Sequence, residues 1–232
     1  MRRSTEHQVL IFDADDTLWE NNILFERVIS DFLDWMNHPT LARAEVRGIL
    51  DDIERANSVT HGYGTKMLLL SLRQCFEQLQ ERPASQEELE TMTGLAVDLI
   101  NHKVELMPDV PETLTVLGER HTLLLLSKGD AQEQQRKLEA SRLALKFNDI
   151  YFVPEKTVDT YRTLIGRRGL DPERTWMIGN SPRSDIRPAR LAGLNAVFIP
   201  HPHTWVLEHD DIDDADDRII TLRAFPDLLD HF

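Results

Sequence analysis

The reading of this chain turns on Val9-Leu10-Ile11-Phe12-Asp13-Ala14-Asp15-Asp16-Thr17-Leu18. An unbroken apolar run of this kind suits a strand buried on both faces, as in a parallel sheet, better than one with a wet side. The run stops at Asp13, and alternate positions leaving a strand bring Asp13 and Asp15 near one another. One carboxylate can attack phosphorus as a covalent nucleophile. A second can give a proton to the leaving oxygen and then activate water. An acidic loop alone is weak evidence, because Asp is common in turns.

Further apolar runs lie at residues 122–126, 149–153, 175–178 and 196–199, with a weaker one at 218–222. Helical patterns fall between them. Asp130 with Glu133 has the form of a capping box opening a helix to about Lys146. Tyr161, Leu164 and Ile165 mark the next helix, with Gly169 as its stop. Ser184 is placed to cap a short helix ending near Gly193. Strand–helix alternation from residue 122 onward predicts a doubly wound α/β domain with a parallel sheet.

The stretch between the first strand and residue 122 reads as helical throughout. Leu24, Val28, Phe32 and Trp35 recur at helical spacing, as do Val46, Leu50 and Ile53, then Met67, Leu70 and Leu79. Ser85 and Glu88 form another capping-box pattern, before a helix running towards Leu106. A helical module inserted after the first strand is the simplest account. It predicts a core of residues 1–18 and 107–232 and a helical domain of residues 19–106.

Composition bounds the function. The chain has 232 residues, 41% of them hydrophobic, and a formal net charge of -14. Such acidity argues against nucleic acid as a partner, which needs a basic patch. Met1-Arg2-Arg3 leads into an apolar run too short for a signal-peptide core. No stretch approaches the roughly 20 apolar residues of a membrane span. A cytoplasmic protein with no membrane partner is expected. Cys75, the single cysteine, reads as a small packed hydrophobe. The acidic run 210–217 reads as a solvated loop.

Ligands of open α/β sheets bind beyond the carboxyl ends of the strands, so the residues just past each apolar run carry the chemistry. After residue 126 come Ser127, Lys128 and Gly129, whose hydroxyl, ammonium and freed backbone N–H groups suit phosphate oxygens. After residue 153 comes Lys156. After residue 178 come Gly179, Asn180 and, further on, Asp185, which offer the oxygen ligands magnesium prefers. Each segment also has a plain reading, as a turn, a surface lysine or a helix cap.

Taken together, these segments resemble the haloacid dehalogenase superfamily. Asp13, Asp15 and Thr17 match its Asp-x-Asp-x-Thr/Val signature, Ser127 its second-strand Ser/Thr, Lys156 its lysine, and residues 179–185 its acidic metal loop. The motifs stand in the superfamily's order, and the helical insert resembles its first cap type. The resemblance implies a Rossmann-like core and magnesium-dependent hydrolysis of a small phosphorylated metabolite. Asp13 would be the nucleophile and a metal ligand; Asp15 the acid/base, with its carbonyl on the metal. Thr17, Ser127, Lys128, Gly129 and Lys156 would bind the phosphate. Asn180 and Asp185 would complete the Mg²⁺ site. A phosphate group carries about -1.5 to -2 charge at neutral pH, and Mg²⁺ with Lys156 answers the difficulty posed by the chain's own acidity.

Two positions depart from the family pattern: Asn180 where Asp is usual, and Lys128 where relatives often carry Asn. Asn180 predicts weaker magnesium affinity; Lys128 either adds a cation beside the phosphate or points outward. Within the family, 2-haloacid dehalogenases attack with an Asp but do not need the second acid, so Asp15 favours phosphate esters. A phosphonatase would need a cap lysine, and Lys66 and Lys103 lie in no recognisable context. A phosphomutase and a catalytically weak phosphate-binding or regulatory protein remain as alternatives. Residues 61–65 read as a substrate loop or as a helix–helix connection. Trp19 reads as a pocket-entrance residue or as a cap anchor. His201 and His203 flank Pro202 without a clear partner set for a metal.

Overall fold

In the computed structural model, which describes residues 6–101, 104–213 and 215–232, β1 (Val9–Phe12) lies inside a six-stranded parallel sheet. Its companions are β2 (Thr122–Lys128), β3 (Asp149–Val153), β4 (Thr175–Gly179), β5 (Asn195–Phe198) and β6 (Ile219–Thr221). Their order is β3-β2-β1-β4-β5-β6. Phe12 sits level with Leu125 on one side and Ile178 on the other. Successive strands are added in one direction up to β3 and in the other from β4, so the order reverses between β1 and β4. A crevice opens at such a point because the connections leave on opposite faces.

The apolar runs are continuous because both faces of the sheet are covered. Leu10, Phe12, Leu123, Leu125 and Ile178 pack with Val110, Leu114 and Leu117 of α6 (Val110–Gly118). The alternate residues Ile11, Leu124, Leu126 and Met177 pack with Tyr161 and Leu164 of α8 (Val158–Arg168). The period-two alternation of a strand thus serves two helical layers.

Two compact units divide the chain: Met1–Asn22 with Val104–Phe232, and Ile23–Lys103. The second is helical, with α1 (Asn22–Met36), α2 (Arg43–His61), α3 (Thr65–Gln80), α4 (Gln86–Leu95) and the short α5 (Val97–Ile100). Phe32, Leu50, Leu68, Leu72, Cys75 and Met92 form its core, and burial followed by the nearby Glu54 pushes the Cys75 thiol up to about 12. Residues 62–64 join α2 to α3. Within the sheet-bearing unit, the strand leaving β1 and the returning one run antiparallel: Glu20 N–H donates to Glu105 O at 2.9 Å, and Met107 N–H to Leu18 O at 2.9 Å.

Several boundaries differ from the expectation. The helix opened by Asp130, α7, is Ala131–Ser141 and stops short of Lys146. Arg142 turns it off in the left-handed region at φ 59°, which drops Leu143 and Phe147 into the core. Asp130 caps α7 by accepting from Gln132 N–H and Glu133 N–H, both at 3.0 Å. The helix after Ser85, whose capping box with Glu88 does form, ends at Leu95 well before Leu106. Ser181 rather than Ser184 caps the turn after β4, accepting from Ser184 N–H at 2.9 Å. Gly169 ends α8 at φ 61°, as expected. Among the described residues no helix is long and apolar enough to cross a membrane. Met1–Arg3, Lys103 and Asp214 lie outside the described residues. Asp210 and Asp216 of the acidic run pair with Arg187 and Arg190.

Candidate active site

Asp13 leaves β1 at the reversal point, its N–H still donating to Ile178 O on β4 at 2.9 Å. Lys156 arrives from the loop after β3, where Thr157 caps α8 by accepting from Thr160 N–H at 3.2 Å. Its ammonium donates to Asp13 Oδ1 and, at 2.7 Å, to Asp185 Oδ1. All three side chains are buried. Asp13 is held above the usual carboxylate range, by burial first and then by Asp185, with Lys156 opposing. Burial disfavours the Lys156 ammonium, but the two carboxylates outweigh it and raise its pKa.

Asp185 lies in one turn of wide π-helix, Pro182–Ile186. Such turns are rare and concentrate at functional sites. Its Oδ2 accepts from Ser181 N–H at 3.0 Å. The turn is braced from below by Tyr161, whose buried hydroxyl donates to Ser184 O at 2.9 Å.

Thr17 Oγ1 lies 3.4 Å from Asp13 Oδ2 and 3.3 Å from Asn180 Oδ1. The Asn180 oxygen therefore faces the carboxylates. Its Nδ2 donates to Thr204 Oγ1 at 3.2 Å, which fixes that orientation of the amide. Asp13, Asn180 and Asp185 present oxygen donors around a single lysine. Two buried carboxylates sharing one ammonium leave a net negative charge, and an all-oxygen set of this kind fits a hard cation such as magnesium.

The β2 loop departs from expectation in part. Ser127 Oγ is buried and has no hydrogen-bond partner among the described residues, so its hydroxyl is left for an acceptor. The Gly129 N–H is already engaged, donating to Val153 O at 3.0 Å. Lys128 neither points outward nor offers a free charge. It pairs with Glu208 and donates to Ser184 Oγ at 2.9 Å, with Glu155 at 3.6 Å. Glu208 also accepts from Ser181 and Ser184. Burial opposes its ionisation, but Lys128 and the two hydroxyls hold it below the usual range.

Asp15 is enclosed by three donors, of which the sequence singled out Trp19 alone, and for another role. Its Oδ1 accepts from Trp19 Nε1 at 2.7 Å and from Lys137 Nζ at 3.0 Å. Its Oδ2 accepts from Gln134 Nε2 at 2.8 Å and from Lys137 Nζ at 3.1 Å. Trp19 belongs to the core of the sheet-bearing unit.

The loop after β5 is a further missed element. Besides Thr204 and Glu208 it supplies His201, which lies 3.2 Å from Glu20 Oε2 and 3.8 Å from Asp16 Oδ1. These three residues offer ligand atoms within 4.8 Å of one another, so His201 does have acidic partners. Asp16 is pushed up to about 7, chiefly by burial, and accepts from Asn21 N–H at 2.8 Å and Asn22 N–H at 3.0 Å. His203 contributes its carbonyl to Asn22 Nδ2. Neither histidine had a sequence signal beyond its flanking proline.

Residues 7–193 match the haloacid dehalogenase-like hydrolase family. The chain belongs to that family. A phosphoserine phosphatase from Thermus thermophilus is 32% identical over 101 residues, 40% of this chain. The chain spans 41% of the length of that relative. A haloacid dehalogenase-like family hydrolase from Xanthomonas campestris superposes with a TM-score of 0.82 at 25% identity, covering 98% of this chain and 97% of the other. An L-2-haloacid dehalogenase from Xanthobacter autotrophicus shares the fold at a TM-score of 0.53 and 14% identity, over 83% of this chain and 77% of its own.

Proposed function

We propose that this hydrolase is a phosphatase acting on a small phosphorylated metabolite through an aspartyl-phosphate on Asp13. The observation that carries the reading is Asp15, a second carboxylate two positions beyond the nucleophile on the same strand end. Displacement of a halide needs no proton, whereas an alkoxide leaving a phosphate ester does. The phosphatase relative is consistent with this over the part of the chain it matches.

In the first half-reaction an Asp13 oxygen bonds to phosphorus, the ester P–O bond breaks, and Asp15 gives its proton to the departing oxygen. In the second, Asp15 takes a proton from water, whose oxygen attacks phosphorus and returns Asp13 as carboxylate with inorganic phosphate. Lys156 holds Asp13 in line and faces the phosphoryl oxygens; the Ser127 hydroxyl donates to one of them. Mg²⁺ would be held by Asp13, Asn180, Asp185 and the Asp15 carbonyl, and when bound it supplies charge neutralisation at the phosphoryl group. The helical unit, Ile23–Lys103, corresponds in this reading to the cap of the family.

Phosphate release from a generic aryl phosphate, with and without Mg²⁺, tests the reading against Asp13→Asn. Metal-dependent turnover lost in the variant is the expected result. Turnover that survives Asp13→Asn would reject Asp13 as the nucleophile, and halide release from a 2-haloacid in place of phosphate release would reassign the activity.

A further inference from the structure

The four bonds to Asp15 come from three side chains of different kinds. Trp19 and Gln134 are neutral donors, each bonded to one oxygen, while Lys137 is bonded to both. An ionised carboxylate has about four lone-pair sites, and here each oxygen already has two donors. One bond must therefore yield whenever Asp15 carries a proton. Lys137 adds a full positive charge to both oxygens, which makes its bonds the strongest of the four, so a Trp19 or Gln134 bond is the one that yields.

Lys137 is itself built in. It is 8% exposed and Gln134 is 4% exposed, although lysines are seldom buried unless paired. The two are spaced i, i+3 on α7 and so share a face. The register of that face is set by the Asp130 cap at the start of the helix. The same ammonium donates to Asn21 Oδ1 at 2.7 Å, tying Asp15 to the segment that continues from β1 into α1.

We propose that Lys137 is a positioning residue for proton transfer at Asp15. Resting on the phosphatase reading above, the ammonium fixes the plane of the Asp15 carboxylate from behind. Gln134 or Trp19 gives way on the side where the proton passes. As the ester P–O bond breaks, its electron pair stays on the leaving oxygen, which takes the proton from Asp15. Asp15 is left as a carboxylate held by Lys137, ready to accept a proton from the attacking water.

The test uses the full-length protein with Mg²⁺ and a series of substituted phenyl phosphates of rising phenol pKa, for wild type, Lys137→Met and Lys137→Arg. Loss of a well-placed general acid harms poor leaving groups most. In Lys137→Met, kcat/KM for unsubstituted phenyl phosphate should fall about ten-fold further than for para-nitrophenyl phosphate, a share of the ~10²–10⁴ that acid–base catalysis contributes. Lys137→Arg should restore part of the difference. An equal loss across the series would show a merely structural lysine and overturn the proposal.

A second readout needs no turnover. The indole N–H resonance of Trp19, identified by its disappearance in Trp19→Phe, should move in Lys137→Met as the carboxylate leaves it. An unmoved resonance overturns the proposal. If wild type hydrolyses none of the esters while the resonance moves, the phosphatase reading fails and the anchoring of Asp15 by Lys137 stands.

Discussion

Gly179 and Asp185 occupy one space between them: a Cβ added at Gly179 would lie 2.2 Å from Asp185 Oδ2 and 2.8 Å from Asp185 Cβ. The last residue of β4 lacks a side chain so that the carboxylate of the following turn can fold back over it. That return places Asp185 on Lys156 and against Ser181 N–H. Gly179→Ala should displace Asp185, cost about 1–3 kcal/mol of stability as overpacking does, and lower turnover at least ten-fold. Urea unfolding and phosphate release check it. An alanine variant with native stability and activity would show that Asp185 does not need this position.

Asn180→Asp should tighten Mg²⁺ binding by roughly ten-fold, since a formal charge joins two carboxylates already sharing Lys156. The same charge should destabilise the metal-free protein by about 1 kcal/mol, because it adds to the buried negative excess. Titration calorimetry with Mg²⁺ and thermal unfolding in chelator measure the two effects, which must have opposite signs. Unchanged or weaker Mg²⁺ binding would remove Asn180 from the metal site.

Lys128, at the end of β2, and Glu208, in the loop after β5, form a partly buried ion pair. Removing one partner of such a pair costs about 1.5–3 kcal/mol, the range for hydrogen bonds to charged groups. Lys128→Met should therefore destabilise the protein by about 2 kcal/mol while changing substrate KM less than about two-fold. A large rise in KM with native stability would return Lys128 to the phosphate site. The pH dependence stems from Glu208, whose folded pKa lies below its ordinary value, with burial opposed and outweighed by Lys128. Its stabilisation is present above the ordinary glutamate range and is lost as pH falls through the folded value.

Glu54 titrates with the opposite sign. It is 3% exposed on α2, and its Oε2 has no hydrogen-bond partner among the described residues. Burial is the main cause that pushes it from 4.5 to about 7, with Arg47 opposing and Asp51 and Glu26 adding to it. The folded protein thus holds the proton more tightly than the unfolded chain. Stability should fall as pH rises from 4.5 through about 7, by up to about 3 kcal/mol. Glu54→Gln should flatten that slope and stabilise the protein at pH ~8. Urea unfolding at pH ~5 and ~8 measures the difference; a slope unaltered by the substitution would place its origin elsewhere.

The strands were legible because a fully buried parallel strand leaves a local mark, an apolar run closed by polar residues. The limits of β1 and β3 were readable to the residue on that basis. Helix ends were less legible: nothing in Ser141-Arg142-Leu143 announces a left-handed arginine, since Leu143 ends the helix by dropping into a core shared with β1 and α6. The capping serine after β4 was displaced for a similar reason. Asp185 must fold back over Gly179, which shifts the turn so that Ser181 takes the cap.

The sequence by itself determined the order of strands along the chain and the residue types at their ends. Asp13, Asp15, Ser127, Lys156 and Asn180 each come just after an apolar run, with Asp185 a turn further on, and that adjacency is local. Only the tertiary structure decided what those residues touch. Lys137 meets Asp15 across 122 positions, Glu208 meets Lys128 across 80, and Thr204 meets Asn180 across 24. None of these pairs has a periodicity or spacing that marks it. They exist because the sheet brings the ends of β1, β2, β4 and β5 to one edge, where a buried charge must find a partner from whichever segment passes.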